Sequence, residues 1–149
     1  VIIGGAEWGS LYGLLKSNPP LDARSITTFH YYEPFKFTHQ GAFFTDPPLP
    51  LGPVWPERGQ MATLSKDMSD AARWQAKTGA PLLLGEFGVY TAAPLSQRAQ
   101  WTADMRTAAE ANGIGWCYWD FSGGFDAYDK EKEAWIAPIL TALIPDPLR

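Results

Sequence analysis

Short apolar runs alternate along the chain with longer stretches in which apolar positions recur at helical spacing. The runs are rich in β-branched and aromatic residues and predict strands over 1–6, 25–32, 81–87 and 114–121. The stretches between and after them predict helices over 11–16, 61–78, 96–112 and 132–143. Strands that alternate with helices need crossover connections, which produce a parallel sheet with right-handed connections. The pattern therefore predicts four strand–helix units in one α/β domain over residues 1–149.

Proline, glycine and serine mark several of the predicted boundaries. Pro34 ends the second strand, because the residue before a proline is held extended. Gly79 ends the second predicted helix, and Ser96 and Gly113 are predicted to cap the two ends of the third. From 34 to 59 the chain is rich in Pro, Gly and Phe without a helical period, so we predict a structureless loop. Loops of that length usually carry function.

Composition and charge exclude several classes of protein. Hydrophobic residues make up 46% of the chain and charged residues 19%, which is typical of a globular domain and not of a disordered one. The net charge is −4, and the 12 Lys and Arg residues form no cluster, so nucleic acid is not an expected partner. No apolar run approaches the ~20 residues of a membrane-spanning helix. Cys117 is the only cysteine, so no disulfide can form within the chain and no cysteine-based metal site is expected.

Glu86 is the strongest candidate for catalysis. It lies between Gly85 and Phe87-Gly88, directly after the apolar run of the third predicted strand. This places a carboxylate at the C-terminal tip of a buried strand, where parallel barrels keep their chemistry. Flanking glycines let the backbone approach a ligand closely. A solvated or helix-capping carboxylate is the alternative interpretation.

Two histidines and a tyrosine are candidate partners for Glu86. His30 and Tyr32 lie on one face of the second strand, because side chains alternate along a strand, and Tyr31 points the other way. A Tyr hydroxyl that donates to a carboxylate would orient a nucleophile and help keep it ionised. His30 is alternatively a core histidine. His39 lies in the long loop, where it is a candidate for substrate binding or for a loop-stabilising hydrogen bond.

Two tryptophans and further carboxylates complete the set of candidates. Trp119 ends the fourth strand and Trp8 follows the first, and an indole at a barrel mouth offers a flat apolar surface to a sugar ring. Glu7 is the best second carboxylate within the chain, and Glu33 is a weaker one. We expect Asp120 and Asp126 to be hydrogen-bonded loop residues.

Five motifs, taken in order, closely resemble the second half of glycoside hydrolase family 5 cellulases. They are Gly-Gly-Ala-Glu-Trp-Gly at 4–9, His-Tyr-Tyr-Glu-Pro-Phe at 30–35, Phe-Thr-His-Gln-Gly-Ala at 37–42, Gly-Glu-Phe-Gly at 85–88 and Trp-Cys-Tyr-Trp-Asp-Phe at 116–121. The resemblance implies a (β/α)₈ TIM barrel, hydrolysis of β-1,4-glucans or mannans with retention, and no cofactor. By position, Glu86 matches the nucleophile, His30 and Tyr32 match the active-site His and Tyr, and Trp119 matches the Trp that stacks on sugar.

The chain departs from the family pattern in two respects. The acid/base Glu of the family lies in an Asn-Glu-Pro motif at the end of the fourth barrel strand, whereas this chain is expected to begin at the fifth. Phe43-Phe44 stands where relatives have a Trp. A closed barrel typically has about 250 residues, so we expect 149 residues to form a half-barrel that corresponds to strands five to eight.

A half-barrel leaves two strand edges and one sheet face uncovered, so we expect association into a homodimer or with a complementary N-terminal half-barrel. The expected function is the nucleophile side of a retaining β-1,4-glucanase, weakly active or inactive alone. One alternative is a carbohydrate-binding remnant that uses Trp119, Trp8 and Tyr32. The other is a self-assembling half-barrel with no sugar function. The cellular compartment is left open.

Overall fold

A computed structural model describes residues 1–19 and 22–145 of the chain. Four parallel strands form one sheet in the order β1-β2-β3-β4. The strands are β1 (Ile2–Gly4), β2 (Ile26–His30), β3 (Leu82–Glu86) and β4 (Gly115–Trp116). Sequential strands are neighbours in the sheet, as the alternating pattern predicts. The predicted α/β class and the parallel sheet are therefore confirmed.

Helices connect the strands and cover one face of the sheet. The two long ones are α4 (Gln60–Thr78) and α5 (Leu95–Ala111), and the short ones are α1 (Ala6–Gly9), α2 (Leu11–Lys16), α3 (Phe35–Thr38) and α6 (Ala137–Leu143). Phe29 and Leu84 point from the sheet into the core, where they are buried with Met68 of α4 and with Trp101 and Met105 of α5. No helix among the described residues is long and apolar enough to cross a membrane.

The prediction of a helix over 132–143 is wrong for the first half of that range. Its place is taken by an antiparallel hairpin of β5 (Tyr128–Asp129) and β6 (Ala134–Trp135), and α6 begins only at Ala137. The Asp129 carboxylate accepts hydrogen bonds from the backbone N–H groups of Glu131 and Lys132, both at 3.0 Å, which favours a turn over a helix. Tyr128 and Trp135 then pack against each other across the hairpin, with ring centroids 5.5 Å apart.

Three other predicted boundaries differ from the structure. The fourth strand is limited to Gly115–Trp116, and residues 117–121 are irregular. The third predicted helix, α5, begins at Leu95, with Pro94 and not Ser96 as its N-cap residue. The loop over 34–59 contains the one-turn helix α3, whose first N–H, that of Phe35, is satisfied by the Glu33 carboxylate at 3.0 Å.

The face of the sheet opposite the helices is open. Thr27 and Phe29 of β2 are buried against the helices, whereas Ile26 on the other face is 40% exposed. Ile2 of β1 is 61% exposed. Within the described chain, β1 and β4 each pair on one side only. Parallel sheets are covered on both faces in known proteins, so this surface resembles the inside of a barrel more than a solvated exterior.

A buried arginine joins the loops that follow β3 and β4. Arg98 of α5 is 4% exposed, and its guanidinium donates to the carbonyl oxygens of Val89 (3.2 Å), Phe125 (3.2 Å) and Asp126 (2.9 Å). Val89 follows β3, and the other two residues follow β4. A planar guanidinium can bridge several acceptors at fixed angles, so Arg98 holds both loops in one arrangement.

We predict that Arg98→Met lowers the free energy of unfolding by about 2–4 kcal/mol, because three buried carbonyl groups lose their charged donor. Arg98→Lys should recover only part of this loss, since one ammonium group cannot reproduce the fork. The measurement is urea unfolding, with exposed Arg58→Met as the matched control. Equal stability of the Arg98 and Arg58 variants would contradict the role of the guanidinium.

Candidate active site

Glu86 is the last residue of β3, and two side chains from β2 and its end converge on it. The Tyr32 hydroxyl donates to Glu86 Oε2 at 3.0 Å. His30 Nδ1 lies 3.4 Å from the same oxygen. His30 is also the register partner of Glu86 in the sheet, after a shift between Phe29 and His30. The structure thus brings together the three residues that the sequence singled out for catalysis.

Close packing explains the two glycines beside Glu86. A Cβ on Gly85 would collide with the Thr28 hydroxyl of the neighbouring strand. A Cβ on Gly88 would collide with the carbonyl oxygen of Trp119. The Gly-Glu-Phe-Gly motif is therefore required by the approach of β2 on one side and of the segment after β4 on the other.

Tyr32 is held as a protonated donor. Two effects raise the pKa of the Tyr32 phenol well above its ordinary value: burial, which is the larger, and the negative charge of Glu86. Its ring packs edge-on against the ring of His39, with centroids 5.0 Å apart, and against Phe125 at 5.8 Å. The hydroxyl is thereby fixed in direction as well as in protonation state.

His39 is buried beside this group and is neutral. It is 7% exposed, and burial lowers the pKa of its imidazole to about 4. The Thr38 hydroxyl donates to the Tyr32 carbonyl oxygen at 2.6 Å, so its oxygen is free to accept from His39 Nδ1, 2.9 Å away. This assigns the ring proton to Nδ1 and leaves Nε2 as an acceptor. His39 both stabilises the loop, as one interpretation predicted, and lines the cavity beside Glu86.

Glu7 and Trp8 lie in α1, the single turn that follows β1, but their backbone is not that of a right-handed helix. Both residues have φ of 55°, the left-handed region, and Gly9 follows with φ of 72°. The turn leaves Trp8 95% exposed, and both Glu7 and Trp8 line the cavity. Left-handed backbone at two successive non-glycine residues costs energy and is concentrated at functional sites.

Trp119 and the two Asp residues occupy the other side of the site. Trp119 is 44% exposed, and its backbone N–H donates to the Phe87 carbonyl oxygen at 2.9 Å. The residue is not among those that line the cavity. Asp120 accepts from the N–H of Gly123 at 2.9 Å, and Asp126 from that of Gly124 at 2.7 Å. The expectation that these two carboxylates stabilise loops is confirmed.

One cavity of about 1350 Å³ contains the site. The residues that line it include Glu86, His30, Tyr32, His39, Trp8 and Glu33. Within residues 1–19 and 22–145, no group of three or more His, Cys, Asp and Glu side chains is placed to hold a metal ion. The donor set next to Glu86 therefore consists of hydroxyl and imidazole groups, which suit the orientation of a carboxylate and the binding of sugar hydroxyls.

Sequence reasoning missed the residues that support the site from behind. Phe125 packs against Tyr32, against His39 at 5.3 Å and against Tyr90 at 5.6 Å. Its carbonyl oxygen accepts from the Tyr118 hydroxyl at 2.8 Å and from Arg98. The irregular segment after β4 has no periodic pattern, and no local signal indicated that one of its rings packs behind Tyr32 and His39.

Comparisons with known proteins show what the chain is similar to. The sequence profile described as Cellulase (glycosyl hydrolase family 5) matches residues 1–124. Endoglucanase H of Acetivibrio thermocellus is 30% identical over 131 residues, which are 88% of this chain and 13% of that protein. Endoglucanase C of the same organism is 25% identical over 158 residues, with 88% of this chain and 46% of that protein covered.

Solved structures give the same result. A hyperthermophilic endo-β-1,4-glucanase in complex with substrate matches with a TM-score of 0.92 and 36% identity, over 97% of this chain and 47% of that one. Thermotoga maritima Cel5A in complex with cellobiose matches with a TM-score of 0.90 and 38% identity, over 96% and 47%. The chain spans about half the length of these solved structures, and half or less of the length of its sequence relatives. It corresponds to the C-terminal part of those relatives. The relatives are TIM barrels, and four parallel strands are consistent with part of one. The chain belongs to glycosyl hydrolase family 5, the family of cellulases.

Proposed function

We propose that this chain carries the nucleophile side of a retaining site for β-1,4-glucan hydrolysis, with Glu86 as the nucleophile. The observation that carries the proposal is the convergence of Tyr32 and His30 on one carboxylate oxygen, Oε2. Both partners engage that oxygen, so Oε1 is the one left to attack. Tyr32 and His30 act on the reaction by orienting this carboxylate.

The proposed reaction has two steps. In the first, Glu86 Oε1 forms a bond to the anomeric carbon while the bond from that carbon to the leaving oxygen breaks. A carboxylic acid about 5–5.5 Å away gives its proton to the leaving oxygen. In the second, the resulting carboxylate takes a proton from water, whose oxygen displaces Glu86 from the anomeric carbon. The sugar therefore keeps its configuration.

The proton donor is proposed to come from outside these 149 residues. The sequence contains no Asn-Glu-Pro motif, and the Glu33 carboxylate, which precedes Pro34, is engaged with the Phe35 N–H. Glu7 lines the same cavity as Glu86 and is the alternative donor within the chain. General acid assistance contributes typically 10²–10⁴-fold, so we expect activity far below that of a complete enzyme when the donor is absent.

The proposed ligand is a neutral β-linked oligosaccharide. The relatives are endoglucanases, and Cel5A structures contain cellobiose in one case and mannotriose in another. Trp8 presents an exposed indole to the cavity, and His39 Nε2 is an acceptor for a sugar hydroxyl. Trp119 is proposed as a stacking surface by its position in the family motif.

The open face of the sheet is proposed to be covered by four further strand–helix units. A second copy could supply them if β1 of one chain pairs with β4 of the other, and closed twofold dimers are the commonest oligomers. The two Glu86 residues would then lie on opposite sides of one barrel, with little or no activity. A complementary N-terminal half-barrel would instead supply the acid at the spacing of the family.

We predict that Glu86→Gln lowers the rate of hydrolysis of a soluble β-1,4-glucan at least about 10³-fold, because the amide cannot form the glycosyl intermediate. Binding of cellotriose should persist. Exposed Glu57→Gln is the matched control and should leave both unchanged. Unchanged hydrolysis in Glu86→Gln would transfer the nucleophile to Glu7 or Glu33.

A prediction for assembly follows from the exposed apolar face. Light scattering should give a mass of two chains, and Ile2→Lys should shift the protein to one chain, because Ile2 lies on the face that assembly buries. Leu51→Lys, at a residue 66% exposed in a loop, is the control. A monodisperse monomer that stays folded would contradict the homodimer. A 1:1 complex with an added N-terminal half-barrel of a relative would identify that half as the partner.

The neutral state of His39 gives a prediction for pH. The imidazole pKa is about 4 in the folded chain and ~6.5 in an unfolded one, so the unfolded state binds more protons between these values. His39 therefore makes the free energy of unfolding decrease as the pH falls from ~6.5 to 4. NMR titration of the His39 ring protons should show a midpoint near pH 4. A midpoint near 6.5 would contradict the burial of this residue.

A further inference from the structure

We propose that the groove between α2 and α4 is an additional subsite for a β-linked oligosaccharide that extends from the Glu86 cleft. The inference rests on the proposed function. The cavity that contains Glu86 does not end at Tyr32 and His39 but continues to Tyr12 and Leu15 of α2 and to Lys66, Asp67 and Asp70 of α4. Its volume of about 1350 Å³ exceeds the roughly 300–1000 Å³ of a site for one small molecule.

The two parts of the cavity are joined by Phe35 and His39, and the His39 ring packs against Tyr32. Phe35 stacks on His39, with ring centroids 4.0 Å apart and planes 21° from parallel. Phe35 is 44% exposed, and the neighbouring Glu33 also lines the cavity. An oligosaccharide that leaves the cleft past His39 therefore meets a partly exposed aromatic ring before it reaches α4.

The far part of the groove combines an aromatic ring with fixed hydrogen-bond acceptors. Tyr12 is 58% exposed. Asp67 is held by the Tyr31 hydroxyl at 2.9 Å, and Asp70 is held by Lys66 at 2.6 Å and by Arg73. Each carboxylate can accept about four hydrogen bonds, so both keep acceptor capacity for sugar hydroxyls while their positions are fixed.

The carboxylates in the groove suit a ligand that donates hydrogen bonds. Lys66 and Arg73 both pair with Asp70, and Asp67 accepts from the neutral Tyr31 hydroxyl, so both carboxylates are fixed in place as acceptors. Lys16 lies 3.5 Å from the centre of the Tyr12 ring and covers one of its faces. The rest of this half-exposed ring is available to the C–H face of a pyranose. A polyhydroxylated, uncharged chain is the class of ligand that fits this combination.

The test compares a short and a long oligosaccharide. Cellotriose probes the Glu86 cleft, and cellohexaose reaches beyond it. Binding is measured by isothermal titration calorimetry. Tyr12→Ser should lower the affinity for cellohexaose about 5- to 10-fold and leave the affinity for cellotriose unchanged. Tyr12→Phe keeps the ring and should bind both sugars with the affinity of the parent chain. Tyr12 is exposed, so the variant should fold, and its melting temperature verifies this.

The outcomes separate the two proposals. Equal affinities of Tyr12→Ser and the parent for cellohexaose, or an equal loss for both sugars, would overturn the subsite and leave the Glu86 cleft standing. Binding of neither sugar by the parent chain would overturn the proposed function together with the subsite. A selective loss for cellohexaose would establish the subsite.

Discussion

The register between β2 and β3 is the constraint on which the site depends. It pairs His30 with Glu86, and the Tyr31 N–H donates to the Glu86 carbonyl oxygen at 2.9 Å just beyond the last pair of the ladder. Because side chains alternate along a strand, Tyr31 then points to α4 while His30 and Tyr32 reach the Glu86 carboxylate. A register slip of one residue would exchange these directions and dismantle the site. The glycine at 85 allows the close approach of Thr28 that this register requires.

The site also depends on irregular loops that hold aromatic rings in fixed positions. Their backbone carbonyl groups are bound by side chains from α5: Arg98 holds the loops after β3 and β4, and the Trp101 indole N–H donates to the Glu33 carbonyl oxygen at 3.1 Å. The Phe125 ring is thereby pressed against Tyr32 and His39. Helix α5 thus stabilises the site from behind, through contacts that reach no ligand themselves. The open face of the sheet, by contrast, carries uncovered apolar side chains such as Ile2 and Ile26.

The sequence predicted the parallel sheet and the proximity of His30 and Tyr32 to Glu86, for physical reasons that are local. Alternation along β2 placed His30 and Tyr32 on one face. The glycines around Glu86 were interpreted as room for a ligand, whereas in the structure they make room for Thr28 and the Trp119 carbonyl oxygen. The hairpin at Tyr128–Trp135 could not be predicted, because it depends on the Asp129 turn and on ring packing between two strands of two residues each. The supporting roles of Arg98 and Phe125 depend on segments that lie far apart in sequence. The continuation of the cleft toward Tyr12 likewise becomes visible only when α2 and α4 are placed side by side.

The proposed attack of Glu86 on the anomeric carbon can be tested without the proton donor, since an activated leaving group departs without protonation. The chain should be incubated with an activated 2-deoxy-2-fluoro cellobioside, which slows release of the glycosyl intermediate, and then analysed by intact-mass and peptide mass spectrometry. We expect one adduct per chain, located on Glu86 and absent from Glu86→Gln. A label on Glu7 or Glu33, or no label on protein that binds cellotriose, would contradict it.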